Sequence, residues 1–216
     1  MSLTRRSLTL ALAALPAPIL APGLAAAQAA PLSAADKALV ERATAYLQGL
    51  SEAKARFVQT DARGATSRGT VHLKRPGKAR FAYDAPSGLL VVSDGSAVSV
   101  ADSRLKTFDK YPLMSTPLSL FLAKNIRFDR GVSVTRVSRL ADGFTITARD
   151  GNKQTAGEIT LTFTDSPISL VGWTVTDAQR RSTRVQLANL ERASGLDPAL
   201  FVLKDPRPRA PGRAKM

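Results

Sequence analysis

The sequence predicts a mainly β fold with a few helices, organised around one curved antiparallel sheet. Three observations carry that reading. A stretch near residue 40 repeats apolar residues at helical spacing. Most of the chain after it consists of short runs with period-two alternation, separated by turn dipeptides at hairpin distance. Sequential strands joined this way form an antiparallel meander, not parallel βαβ units.

The elements follow in order. Ser33 reads as an N-cap with Asp36 three residues on, and Leu39, Val40, Ala43, Tyr46, Leu47 and Leu50 recur at helical spacing. This predicts a helix over 34–48 with Gly49 as its stop. The runs "AKARFVQTDA", "RGTVHLKRP", "ARFAYDA", "LLVVS" and "AVSVA" then give five strands. Further on, "VSVTRVSRL", "FTITARD", "GEITLTFT", "LVGWTVTD" and "RVQLANLE" bring the total to about ten. Between the two sets, "STPLSLFLAKN" places Thr116 at an N-cap and Pro117 at the first position of a short, apolar helix. The late stretch "SGLDPALFVLKDP" reads as a loop, a turn and a final short strand.

A sheet of this size curls. The run Leu89 to Val92 is apolar on both faces, so each side of the sheet there must be covered. The helices can cover one face, and the curled sheet then encloses a packed core or a cavity. The small residues Ala97, Ser99 and Ala101, together with a modest aromatic content of 6%, point to a hollow interior.

The ends carry separate signals. Residues 1–29 show a short region with Arg5 and Arg6, an apolar run from Leu8 to Leu15, and small residues around Ala27 to Ala29. That layout is a secretory signal peptide, too short and proline-broken to span a membrane, and "TRRSL" is also similar to a twin-arginine signal. A single domain over 30–206 and a basic, Pro-rich disordered tail over 207–216 complete the organisation. The chain has no Cys and a formal net charge of +14, of which the first 29 residues contribute two Arg and no acid. A periplasmic protein drawn to anionic partners is the expectation.

Catalytic chemistry finds little support. One His and no Cys exclude most dyads, triads and nitrogen or sulfur metal sites. His72 falls between Val71 and Leu73 on alternating positions and reads as a surface strand residue. The carboxylates sit singly in turns, as at Asp94, Asp102, Asp142, Asp150 and Asp165, where Asp bonds the local backbone. No enzyme, metal or cofactor is expected. The stretch "LKRPGKARFAYDAPSG" has the composition of a nucleic-acid groove, but alternation puts Phe81 and Tyr83 on one face and Arg80 on the other. Its aromatics belong to a core and its cations to solvent, so no nucleic acid is expected.

Taken together, "ARFVQ", "GTVHLKRPGKARFAYDAP", "VVSDG", "YPLMSTPLSLFL" and "GWTVTDAQRRSTRVQLANL" run in the order found in the outer-membrane lipoprotein carrier family, the LolA-type periplasmic chaperones, which the chain resembles from about Ser33 to Pro206. The resemblance implies an unclosed antiparallel β-barrel, a half-barrel lidded by short helices, whose apolar cavity receives the acyl chains of lipoproteins. It implies a monomer that takes acylated lipoproteins from an inner-membrane lipoprotein-releasing ABC transporter and passes them to an outer-membrane acceptor or to the outer membrane itself. It also implies that Arg75 holds the lid closed by hydrogen bonding to the lid-helix backbone. Candidate cavity and lid residues are Phe57, Phe81, Tyr83, Leu90, Val92, Leu118, Phe121, Leu122 and Trp173. Where relatives carry aromatics after "SDG", this chain has "SAVSVAD". The residues alone also allow a lipid-sensing half-barrel, or a basic adaptor that docks anionic envelope polymers through its tail.

Overall fold

The computed structural model describes residues 32–116, 118–126, 128, 132–151 and 157–205. The signal-peptide region, Pro117 and the basic tail expected from the sequence lie outside the described residues. Helix α1, Ala34–Gln48, starts where Ser33 Oγ accepts the Asp36 N–H at 3.1 Å and ends where the Gly49 N–H bonds Ala45. Its Leu39, Ala43 and Leu47 are buried. The predicted bounds and the observed ones coincide because capping and periodicity agree there.

Eleven strands form one antiparallel sheet. They are β1 Glu52–Thr60, β2 Thr66–Lys74, β3 Lys78–Tyr83, β4 Leu89–Asp94, β5 Ala97–Asp102, β6 Thr107–Pro112, β7 Val132–Leu140, β8 Gly143–Asp150, β9 Glu158–Asp165, β10 Ile168–Thr176 and β11 Ser182–Arg192. Their order is β6-β5-β4-β3-β2-β1-β11-β10-β9-β8-β7, so β6 and β7 are free edges and the barrel stays unclosed. The strand missed in the sequence is β6, "TFDKYP". It is an edge strand, mostly exposed, and carries no apolar alternation to announce it. The segment between the two edges contains a 3-10 turn, Leu113–Ser115, and helix α2, Ser119–Leu122. Thr116 is not the N-cap of α2: it ends the preceding 3-10 turn, with its hydroxyl donating to the Leu113 carbonyl at 2.8 Å.

Pairing register fixes the faces. The row Ala55, Val71, Phe81, Val91 and Val100 points to the inner face. Phe57 and Tyr83 flank Gly69 in the next row, and a Cβ on Gly69 would lie 2.7 Å from the Phe57 ring. Because Gly69 has no side chain, the two rings meet edge to face across β2, with centroids 5.0 Å apart. Such a pair adds about 1 kcal/mol beyond its area burial. On the other half of the sheet, Phe144 stacks on Phe163 and Tyr46 of α1 meets Phe163 edge on. The core lies between this inner face and α1.

The outer face has a cover of its own. The chain after β11 does not make the short strand expected from the sequence. Asp197 accepts the Ala199 N–H at 2.8 Å, Pro198 fixes the first helical torsion, and Pro198–Phe201 winds as a 3-10 turn against β3 and β4. Leu196 is tied by both backbone groups, its N–H to Glu52 and its carbonyl to Lys74, each at 2.8 Å. Phe201 and Val92 are both 1% exposed. The double-sided apolar run "LLVV" is thereby covered on both faces. Ala97, Ser99 and Ala101 also face outward, paired with Pro112, Val92 and Leu90. The interior thus receives Val98 and Val100 instead, and the small residues do not account for any hollow. Replacing Phe201→Ala is expected to lower unfolding stability by about 3–5 kcal/mol. Chemical denaturation measures it, and an unchanged midpoint would show that the C-terminal layer adds nothing to the fold.

Candidate functional site

Between the inner face and the segment leading into α2 lies a cavity of about 290 Å³. Phe81 and Tyr83 of β3, Val91 of β4, Trp173 and Val175 of β10, and Val185 of β11 supply apolar walls. Gln59 and Thr183 add polar groups at one end, while Thr116 and Leu118 close the top. The aromatic walls are mutually braced. Phe57 meets Phe81 at 5.8 Å and Phe81 meets Trp173 at 6.0 Å, both edge to face. Tyr83 donates its hydroxyl to Gln59 Oε1 at 2.7 Å, which satisfies the polar tip of an otherwise apolar wall. Burial pushes the Tyr83 phenol up to about 12, only partly offset by the Gln59 hydrogen bond.

Of the residues singled out in the sequence, Phe81, Tyr83, Leu118 and Trp173 come together around this cavity. Phe57 is 1% exposed and supports Phe81 and Tyr83 from behind. Leu122 is fully buried in α2. Phe121 also lies in α2, with its side chain outside the described residues. Leu90 and Val92 require correction. They pair with Ala82 and Arg80 and point to the outer face, so Val91 takes the place assigned to them. An apolar run with no alternation does not reveal its own phase. The partner register does: Phe81 faces inward, and Val91 stands opposite it. Val175 and Val185 escaped notice although they alternate in step with Trp173 and Leu187.

Arg75 follows the last residue of β2 and reaches both helix ends. Its Nη1 donates to the Leu47 carbonyl in the last turn of α1 and, at 3.5 Å, to that of Leu50. Its Nη2 donates to the Ala123 carbonyl, at the end of α2, at 2.7 Å. The Gly77 N–H reinforces the same corner by bonding the Leu122 carbonyl at 2.7 Å. Gln48 completes it, donating to Lys124 and accepting from the Ile126 N–H, both at 3.1 Å. Orphan carbonyls at helix ends favour a cation, and one guanidinium serves two of them. No carboxylate among the described residues pairs with Arg75. Burial lowers its pKa from the ordinary guanidinium value, and its Nε is buried without an acceptor.

His72 lies on the outer face beside Lys54 and Arg80, in register with both. It is half-buried, and its Nδ1 has no acceptor or donor. Burial first, then the two neighbouring cations, lower its pKa. It has no part in the cavity.

Tyr83 gives the wall a measurable signature. Its folded pKa is raised above the unfolded value of about 10, so the folded state binds the phenolic proton more tightly. The associated stability is complete below pH 10 or so and is lost as pH rises through about 12. Tyr83→Phe should flatten that alkaline loss in urea titrations carried out over this pH range. An identical alkaline profile in the variant would remove Tyr83 from the buried wall.

The outer membrane lipoprotein carrier protein LolA family matches residues 48–204. An outer-membrane lipoprotein carrier protein from Chromobacterium violaceum is 28% identical over 192 residues, covering 85% of this chain and 92% of that protein. Among solved structures, a LolA superfamily protein from Nitrosomonas europaea is similar at 10% identity and a TM-score of 0.46, covering 78% of this chain and 97% of its own. A DUF1329 family protein from Desulfovibrio piger is similar at 12% identity and a TM-score of 0.49, covering 78% of this chain and 96% of its own. With a match that spans all eleven strands of the described sheet, the chain belongs to the outer membrane lipoprotein carrier protein LolA family.

Proposed function

We propose that the protein is a periplasmic chaperone that encloses the acyl chains of lipoproteins and carries them from an inner-membrane lipoprotein-releasing ABC transporter to the outer membrane or an acceptor there. The observation that carries this reading is the apolar cavity beneath the segment leading into a short helix whose end is held by one half-buried cation. Export through the N-terminal 29 residues as a cleaved signal peptide belongs to the same proposal. Among the described residues, no helix is long and apolar enough to cross a membrane.

The energetics suit a carrier. Each methylene removed from water contributes about 0.8 kcal/mol, so free acylated cargo aggregates or stays in its membrane. At about 290 Å³ the cavity lies at the small end of ligand pockets, which run from about 300 to 1,000 Å³. Holding more than part of an acyl chain requires α2 to move away. Arg75 is the group poised to control that motion. With carbonyls alone as its partners among the described residues, it gains water when it lets go of them. The desolvation relieved on opening offsets much of the hydrogen bonding lost. A latch of that kind holds the lid without locking it.

Arg75→Leu is expected to keep the fold and to trap cargo or impair its transfer. Transfer of a radiolabelled lipoprotein from the variant to outer-membrane vesicles, with circular dichroism as the control for folding, measures this. Normal transfer by the variant would remove Arg75 from the mechanism. Purification of the protein from the periplasm without any bound acylated protein, in wild type and variant alike, would overturn the carrier reading itself.

A further inference from the structure

The outer face of the sheet treats its cations unequally. Lys54 pairs with Glu191, Arg56 with Asp84, and Lys74 with Glu52. Arg184 lies on the same face, yet its cross-strand neighbours are Thr60 and Thr174, and no acid among the described residues pairs with it. Arg180 and Arg181, from the turn between β10 and β11, join Arg184 in lining a cleft of about 560 Å³.

Asp61 lines this cleft, Asp177 begins the turn that carries Arg180 and Arg181, and each already has a carboxylate oxygen bonded to its own turn. Asp177 Oδ1 accepts the N–H groups of Gln179 and Arg181, each at 2.9 Å, and Oδ2 accepts from Arg181 Nε at 2.8 Å. Asp61 Oδ1 on the facing turn accepts the Arg63 and Ala65 N–H groups at 2.8 and 2.9 Å. Both carboxylates thus turn inward on their own hairpins. What remains for a ligand is Arg180 and Arg184, two guanidinium groups with no ion-pair partner among the described residues, flanked by hydroxyls that can donate. That set suits a phosphate, which Arg grips bidentately.

Position narrows the source of the phosphate. Thr60, Thr174 and Arg184 alternate along their strands with Gln59, Val175 and Val185, which line the apolar cavity on the other face. Cleft and cavity therefore share one end of the sheet. Strand direction brings the turn after β5 to that end as well, because β5 and β10 both run toward it. At the tip of that turn Leu105 is 72% exposed between Arg104 and Lys106. An apolar side chain between cations, at the same end of the sheet as a cationic cleft, fits the interface of an anionic bilayer.

We propose that this cleft binds the phosphate of an anionic phospholipid headgroup and so brings the cavity end of the protein to a membrane surface. The site requires neither cargo nor an open lid, so it stands apart from the carrier reading. Protein purified after expression of the full-length chain is sedimented with vesicles of phosphatidylcholine alone, or of phosphatidylcholine mixed with phosphatidylglycerol. Binding is expected only to the anionic vesicles, and salt should release it. Removing two cations near such a surface in Arg180→Gln/Arg184→Gln should weaken partitioning about thirtyfold. Lys124→Gln/Arg139→Gln, an equal loss of charge at the opposite end of the sheet, should weaken it less than about threefold. Equal losses in the two double variants would reduce the effect to net charge and overturn the site. Equilibrium dialysis with inorganic phosphate separates the remaining source. Retention of free phosphate without preference for anionic vesicles would assign the cleft to soluble phosphate and overturn the membrane assignment.

Discussion

One guanidinium, with no carboxylate partner among the described residues, joins the two helices to the sheet. Arg75 takes the Leu47 carbonyl from α1 and the Ala123 carbonyl from the end of α2, and the peptide of Gly77 adds a bond to Leu122. Without this corner, α2 would rest on apolar contacts alone, since a four-residue helix has almost no stability of its own. The cavity wall is arranged in the opposite way. Phe57, Phe81, Tyr83 and Trp173 brace one another through three edge-to-face contacts. The wall is braced ring against ring, whereas α2 is joined to the rest of the fold by hydrogen bonds at its C-terminal corner.

The wall in turn depends on a residue that supplies nothing to it. Gly69 stands between Phe57 and Tyr83 in the cross-strand row, and any side chain there would collide with the Phe57 ring and the Ala82 carbonyl. Absence of a Cβ lets the aromatic plane continue across β2. The tyrosine hydroxyl then reaches Gln59 instead of facing an apolar space unpaired.

Much of this was legible in the sequence, and the failures share a cause. Helix α1 and ten of the strands announce themselves because capping, alternation and turn chemistry agree. Phe81 and Tyr83 were assigned inward correctly, since "KARFAYD" alternates cleanly between charge and aromatic. Leu90 and Val92 went to the wrong face because "LLVV" is apolar at every position, and its phase is set by β3 rather than by its own residues. Ala97, Ser99 and Ala101 misled for the same reason. Strand β6 was invisible because an exposed edge needs no apolar face. The C-terminal 3-10 turn was read as a strand because its aromatic and aliphatic residues serve a local cover and not a ladder.

That cover explains why the sheet is apolar on both faces only in part. The stretch Ala193 to Phe201 crosses β1 to β4, held by Glu52, Lys74 and Arg80 through the backbone of Ala193, Leu196 and Leu200. Strands β8 to β10 have no such layer among the described residues, and they face outward with Thr145, Thr160, Thr162 and Thr174. Apolar residues on the outer face appear where the chain returns to bury them, and hydroxyls appear where it does not. The outward polarity of β10 and β11 thus follows from the path of the C-terminal segment. It is that uncovered half of the outer face which leaves Arg184 between two threonines.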